Sequence, residues 1–400
     1  MSVSKAIEAV IVCACALAFA LMFLAVCMLL ITGNGLAHHD AMSFWSAGQL
    51  LAHGQNPYDA AETLRIQRAA GLGSSYAALV IRNPPIALPL VLPLGYLSQR
   101  WATLLWSALL LAAFALSVRL LWGVLGRPKG LLRWLPYGFA PALICILVGQ
   151  SAILPLLGLA LFFRYHRTHP FAAGAALWLC MLKPHLLLPF AAVLLLWSIR
   201  ERRFRILAGA AVALAASLAV AWALDPHAWS QYAKMAGSSR VEQEYIPCIS
   251  VALRLGLRPG ALWLQWLPCA VGCTFAVLYY WRNRASWNWN SSGGLLLLIS
   301  VLVAPYAWVS DTVLALPALM YALTQRRSRV MLLTLGVLMA LMEGEALRGV
   351  SWHSPLYLWP AAAWLLWYLC NNALAPTAQA RRAAQEPVTT MTDPIRARSL

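Results

Sequence analysis

Charge is scarce in this sequence of 400 residues. Only 11% of them are Asp, Glu, Lys or Arg, while hydrophobic residues make up 62%; soluble domains average about 25% and roughly 45–50%. A soluble globule with so few charges could not cover its own surface. The composition therefore marks a polytopic membrane protein and excludes a disordered chain, a collagen and a secreted disulfide scaffold. Acids are scarcest of all: 13 Asp and Glu face 30 Lys and Arg, for a formal net charge of +17. In a soluble protein that balance would point to nucleic acid. Here Lys and Arg mark the cytoplasmic ends of membrane spans, and no nucleic-acid partner is expected. The nine cysteines form no framework, since eight lie inside apolar runs and only Cys248 falls in a long polar stretch. Cys269 and Cys273 sit one helical turn apart with no His or carboxylate beside them, which favours core packing over a metal site. The P-loop, the Gly-rich dinucleotide fingerprint, G-x-S-x-G and H-E-x-x-H are all missing. Without a nucleotide-sugar site of the soluble kind, any activated donor must be lipid-borne.

Long apolar segments are what the chain has in abundance. Ile7 to Ile31 exceeds the ~20 residues that cross a bilayer; with Lys5 before it, it reads as a retained first span with a cytoplasmic N-terminus. A first outer loop, 32–84, carries two helical patterns. Ala41 to His53 ends at Gly54, and Ala60 to Ala70 is capped by Asp59 and closed by Gly71. Both are too short and too polar to span, and both are expected to lie at the membrane surface as amphipathic helices. After Pro84-Pro85 come apolar segments at 85–98, 101–124, 134–148, 151–164, 170–183, 185–199, 205–224, 259–281, 293–310, 312–324, 330–342 and 355–371. Several are short and broken by proline, which is tolerated where helices line a protein-walled cavity. The expected fold is all-α and polytopic, with 12 or 13 membrane segments in one domain over residues 1–374. The tail 375–400, rich in Ala, Thr, Arg and Pro, is expected to be cytoplasmic and disordered.

Basic clusters orient these segments. They lie at Arg119–Arg133, Arg164–Arg167, Arg200–Arg205, Arg282–Arg284, Arg326–Arg329 and from Arg381 onward. Placing all of them in the cytoplasm turns the intervening pairs of short segments into out-and-back hairpins. The pair 85–98 and 101–124 does not fit, because two segments stand where one crossing is needed. In this scheme the cytoplasmic side carries the whole +17, and the outer side, with nine Lys or Arg and nine acids, is neutral.

The outer tips and loops, including a second outer loop at 225–258, hold most of the unusual polar residues. Ionisable groups at membrane depth are costly, so they are functional candidates. A carboxylate facing cationic and hydrogen-bonding groups suits a general base beside an anion site. Each candidate also has a plainer reading. Asp40 could simply cap the helix 41–53, Gln150 could cap a broken helix, and Asp311 could cap the helix after it. Lys183 could snorkel to the headgroups or hold a phosphate as a point charge. Tyr58 and the tryptophans suit an interfacial belt. His38 and His39 read as interfacial histidines, and no metal or other cofactor is expected.

The order of these motifs is similar to a known family. His39-Asp40-Ala41-Met42-Ser43-Phe44-Trp45 is followed by Gly54-Gln55-Asn56-Pro57-Tyr58-Asp59 and Arg82-Asn83-Pro84-Pro85. Then come Gly149-Gln150, Leu182-Lys183-Pro184 and Ala304-Pro305-Tyr306-Ala307-Trp308-Val309-Ser310-Asp311. The pattern, over roughly residues 35–325, resembles the GT87 family of GT-C-class integral-membrane glycosyltransferases. The resemblance implies transfer of one sugar, mannose or another hexose, from a polyprenyl phosphate to a glycolipid or glycan acceptor on the outer face of a bacterial inner membrane, with inversion. It makes Asp40 the general base. Lys183, with Arg82 or His185, would hold the departing phosphate, and Tyr58, Asn83, Gln150 and Asp311 would line the sugar site. A transporter of lipid-linked glycans would instead need charges through the midplane and inverted repeats, and none are visible. A non-catalytic scaffold would need neither Asp40 nor Lys183.

Overall fold

The computed structural model describes residues 40–128, 130–238, 244–325 and 328–373, with seven positions between residues 9 and 24. The first span, His38-His39 and the tail lie outside those residues apart from the seven positions, which are helical. Among the described residues the fold is all-helical. The helices are α1 (Asp40–Ala52), α2 (Ala60–Ala69), α3 (Leu88–Gly95), α4 (Gln99–Leu125), α5 (Ala140–Val148), α6 (Ile153–Tyr165), α7 (Pro170–Ala176) and α8 (Leu188–Arg200). They continue as α9 (Phe204–Leu224), α10 (Ala228–Ala236), α11 (Ile249–Leu257), α12 (Leu262–Asn283), α13 (Trp289–Leu302), α14 (Leu316–Gln325), α15 (Arg329–Leu347) and α16 (Trp359–Ala373).

Among the described residues five helical stretches are long and apolar enough to cross a membrane: Gln99–Leu125, Gly130–Val148, Phe204–Leu224, Leu262–Ser286 and Arg329–Leu347. Gly130–Val148 is mostly buried, while α9, α12 and α15 turn broad apolar faces outward. Val212, Val220, Val271, Leu278, Val337 and Leu341 are exposed along them, as lipid contact requires and water would penalise. The protein is a multi-pass membrane protein by these criteria.

The segment 85–98 is not a span. Its α-helix, α3, has eight residues, about 12 Å at 1.5 Å per residue, against a hydrocarbon core of ~30 Å. Pro89 and Pro93 limit its length, and the crossing belongs to α4 alone. The segment expected at 293–310 is also interrupted: α13 stops at Leu302, and the chain resumes in a 3-10 turn at Val309–Ala315.

The first outer loop departs furthest from expectation. Its helix α1 is buried on nearly every side rather than lying on a surface. Small residues allow this. Gly48 packs backbone to backbone against Gly95 of α3, with no room for a Cβ on either. Its hydroxyls are satisfied within the helix: Ser43 Oγ donates to Asp40 O at 2.6 Å and Ser46 Oγ to Met42 O at 2.8 Å. Gln49 Nε2 donates to Gly95 O at 2.6 Å. α2 keeps the expected ends, with Asp59 Oδ1 accepting from Ala61 N at 2.8 Å and Glu62 N at 3.0 Å, and Gly71 in a left-handed turn at φ 99°. The loop 225–258 is partly helical, holding α10 and α11.

Candidate active site

Four breaks in the helical pattern converge at one end of the bundle. Asp40 opens α1. α5 ends at Gly149 in the left-handed region (φ 75°, ψ 25°), a turn closed by Gln150 N donating to Cys145 O at 2.8 Å. A Cβ at Gly149 would lie 2.6 Å from the Ala41 Cβ, so glycine lets the end of α5 abut the start of α1. Lys183 ends the 3-10 turn Leu177–Leu182 at φ −139°, ψ 63°; the Pro184 ring keeps the residue before it out of the helical region. Asp311 sits in the turn that follows the gap after α13.

These breaks produce one chain of side-chain bonds. Gln150 Nε2 donates to Asp40 Oδ2. Lys183 Nζ donates to Gln150 Oε1 at 2.6 Å and to Asp311 Oδ1 at 2.6 Å. The second Asp311 oxygen accepts from Trp308 N at 2.9 Å. Lys183 and Asp311 are both buried, whereas Asp40 is half-buried. Gln150 thus bridges Asp40 and Lys183, and Asp311 both holds Lys183 and caps its own turn. Asp40 is itself the first residue of α1, with its carboxylate committed to Gln150 rather than to the helix end. Desolvation raises the Asp40 pKa above the ordinary value of 3.8; Lys183, Gln150 and Arg82 oppose that rise and Asp311 adds to it. A carboxylate raised in this way is a stronger base than a solvated one.

The other predicted residues lie around this chain in different roles. Asn83 is buried, its Nδ2 donating to Leu182 O at 2.9 Å and Ser151 Oγ at 3.2 Å. The Tyr58 hydroxyl, also buried, donates to Asn83 O at 3.1 Å. Both fix the backbone beside Lys183 and Gln150. Tyr58 is therefore a core residue and not part of an interfacial belt. His185 stacks on Tyr306 with ring centroids 3.8 Å apart. Burial and the Lys183 charge push its pKa well down, which disfavours the imidazolium. Arg82 pairs with Glu244, and His353 Nε2 lies 3.8 Å from the same carboxylate. Its Nδ1 faces Tyr245 O at 2.9 Å.

Glu244, Tyr306 and Ser151 were not singled out from the sequence. Glu244 is one of three acids in the loop 225–258, and no spacing rule ties it to Arg82, more than 160 residues earlier. Tyr306 lay inside a quoted motif but carried no ionisable signal. Among the described residues, no three His, Cys, Asp or Glu side chains are grouped as metal ligands would be.

A family model for glycosyltransferase family 87 matches residues 82–305, more than half of the chain. The chain belongs to glycosyltransferase family 87. Searches of curated proteins and of solved structures find no match. The matched region of this glycosyltransferase includes Arg82, Asn83, Gln150, Lys183 and His185; Asp40 and Asp311 lie outside it and reach the same place through side-chain bonds.

Proposed function

We propose that this glycosyltransferase moves a single sugar, mannose or another hexose, from a polyprenyl-phosphate donor to a glycolipid or glycan acceptor. The acceptor hydroxyl gives its proton to the Asp40 carboxylate as its oxygen bonds to the anomeric carbon. The bond from that carbon to the phosphate oxygen breaks, the electron pair stays on the phosphate, and the configuration inverts. Lys183 and Arg82 offset the charge that develops on the leaving phosphate, and His185 offers a neutral ring N–H.

The observation that carries this reading is the bonded chain Asp40–Gln150–Lys183–Asp311 on a family 87 scaffold. It sets a desolvated carboxylate at one end of a relay and an ammonium in the middle. A proton acceptor and a phosphate-binding cation are the two groups that transfer from a sugar phosphate needs. Each cation already has an acidic partner, Asp311 for Lys183 and Glu244 for Arg82. A donor phosphate would share Lys183 and compete with Glu244 for the more exposed Arg82. Asp311 then acts as a positioning residue for Lys183 rather than as a sugar ligand, and Tyr58 and Asn83 position the backbone.

The distribution of basic clusters supports a bacterial inner-membrane protein with both termini in the cytoplasm and this site on the outer face. The test is transfer of labelled mannose in reconstituted membranes, with polyprenyl-phosphate-mannose beside a nucleotide-mannose donor. Transfer from the lipid donor alone is expected. Transfer from the nucleotide donor in the absence of polyprenyl phosphate would refute the donor assignment.

A further inference from the structure

At the end of α8 away from Lys183, two arginines share one tryptophan ring. α8 begins five residues after Lys183 and runs 13 residues to Arg200, so the two ends are ~20 Å apart along its axis. There Arg200 and Arg284 both lie over the ring of Trp281, at 5.4 Å and 4.9 Å from its centroid. Arg284 also donates to Trp281 O at 2.6 Å. Among the described residues no carboxylate pairs with either guanidinium. Beneath them Tyr280 is fully buried, and its hydroxyl has no hydrogen-bond partner. The charged groups that face it are Glu201, Arg200 and Arg284. Trp287 packs edge-on against Tyr280 at 5.0 Å, and its indole N–H is likewise buried without a partner.

Both guanidiniums are exposed, and each carries five N–H donors in a planar fork. One acceptor anion between them would meet several of those donors at once. Cation–π stacking on Trp281 holds both guanidiniums beside each other without neutralising them. Next to the group, Leu195 and Ile199 of α8 and Phe275 and Leu278 of α12 are exposed, which gives an apolar surface leading away from the charges along both helices. A small free anion would have no use for that surface.

We propose that Arg200 and Arg284, side by side on Trp281, form a binding site for the headgroup of an anionic phospholipid, whose acyl chains lie along α8 and α12. Basic pockets between membrane helices bind such headgroups, at roughly 1 kcal/mol per cation. The orientation proposed above puts this site in the cytoplasmic leaflet, but the site itself depends only on the local geometry.

The test uses full-length protein in detergent, exchanged against phosphatidylglycerol or phosphatidylcholine and read by native mass spectrometry. Wild type is expected to retain phosphatidylglycerol in preference to phosphatidylcholine. The double variant Arg200→Gln/Arg284→Gln should bind it roughly 30-fold more weakly. The double variant Arg133→Gln/Arg164→Gln removes two other ring-stacked guanidiniums and should change binding little. Equal losses in the two double variants would overturn the proposal, since only general surface charge would then matter. So would equal retention of the two lipids, or displacement of phosphatidylglycerol by millimolar inorganic phosphate. The assay needs no sugar transfer, so it stands or falls apart from the catalytic reading.

Discussion

Replacing Asp311 by Asn removes one charge from a buried pair and leaves the other. Lys183 Nζ lies 2.6 Å from Asp311 Oδ1, with side chains 10% and 1% exposed. At that distance the Coulomb attraction is about 6 kcal/mol for an effective dielectric of ~20. Desolvation offsets much of it, so the pair as a whole stabilises far less, but removing one partner strands the other charge at a cost of about 3–5 kcal/mol. Asn adds a second difficulty. Asp311 accepts from Lys183 with one oxygen and from Trp308 N with the other, and an amide has only one oxygen to offer. Asp311→Asn should therefore lose at least about 3 kcal/mol. The double variant Lys183→Met/Asp311→Asn leaves no stranded charge and keeps the amide oxygen for Trp308 N, so it should recover most of that loss while remaining inactive. Reversible unfolding in mixed micelles, followed by the fluorescence of the 19 tryptophans, measures both. A loss under about 1 kcal/mol in Asp311→Asn, or a double variant no more stable than the single one, would refute the reasoning.

Four further outcomes follow from the same geometry. Burial raises the Asp40 pKa, so transfer should fall as pH drops through a value above the ordinary 3.8, as a pH–rate profile would show. A raised carboxylate pKa also favours the folded state at low pH, and that contribution is lost as pH rises through the raised value; Asp40→Asn should hence be at least as stable as wild type at pH 7, with the difference vanishing in acid, on thermal melting at each pH. Gly149→Ala meets the Ala41 Cβ and a left-handed backbone, and should cost about 1–3 kcal/mol together with most of the activity, because it displaces Gln150 and Asp40 together. Arg82→Gln should raise the donor KM by about tenfold for one lost phosphate contact of about 1.4 kcal/mol, whereas Glu244→Gln, which frees Arg82, should leave the KM unchanged or lower it; steady-state kinetics on both variants checks the pair.

Apolar run length located the helices well, since α4, α9 and α12 lie within a few residues of 101–124, 205–224 and 259–281. It could not tell a span from a buried short helix, because both are uniformly apolar. The misfit of 85–98 with 101–124 is therefore resolved only by the length of α3 and its contact with α1. The opposite error befell α1. Its two serines and Gly48 look like surface polarity in sequence, but they serve close backbone packing and internal hydrogen bonds. In the site, the breaks themselves were legible: Gly149-Gln150, Lys183-Pro184 and Ser310-Asp311 each interrupt an apolar run. Which residues bond to one another was not, since Lys183 and Asp311 lie 128 positions apart and only the packed bundle joins them. The same holds for Arg82 and Glu244.

The most direct test of the central claim compares wild type with Asp40→Asn in single-turnover transfer from polyprenyl-phosphate-mannose, with donor binding measured alongside. Asp40→Asn keeps an oxygen for Gln150 and leaves Lys183 in place, so donor binding should persist. Loss of the general base should slow transfer by about 10²–10⁴-fold. Transfer at the wild-type rate by Asp40→Asn would contradict the account, because the acceptor proton would then be leaving by way of some other group.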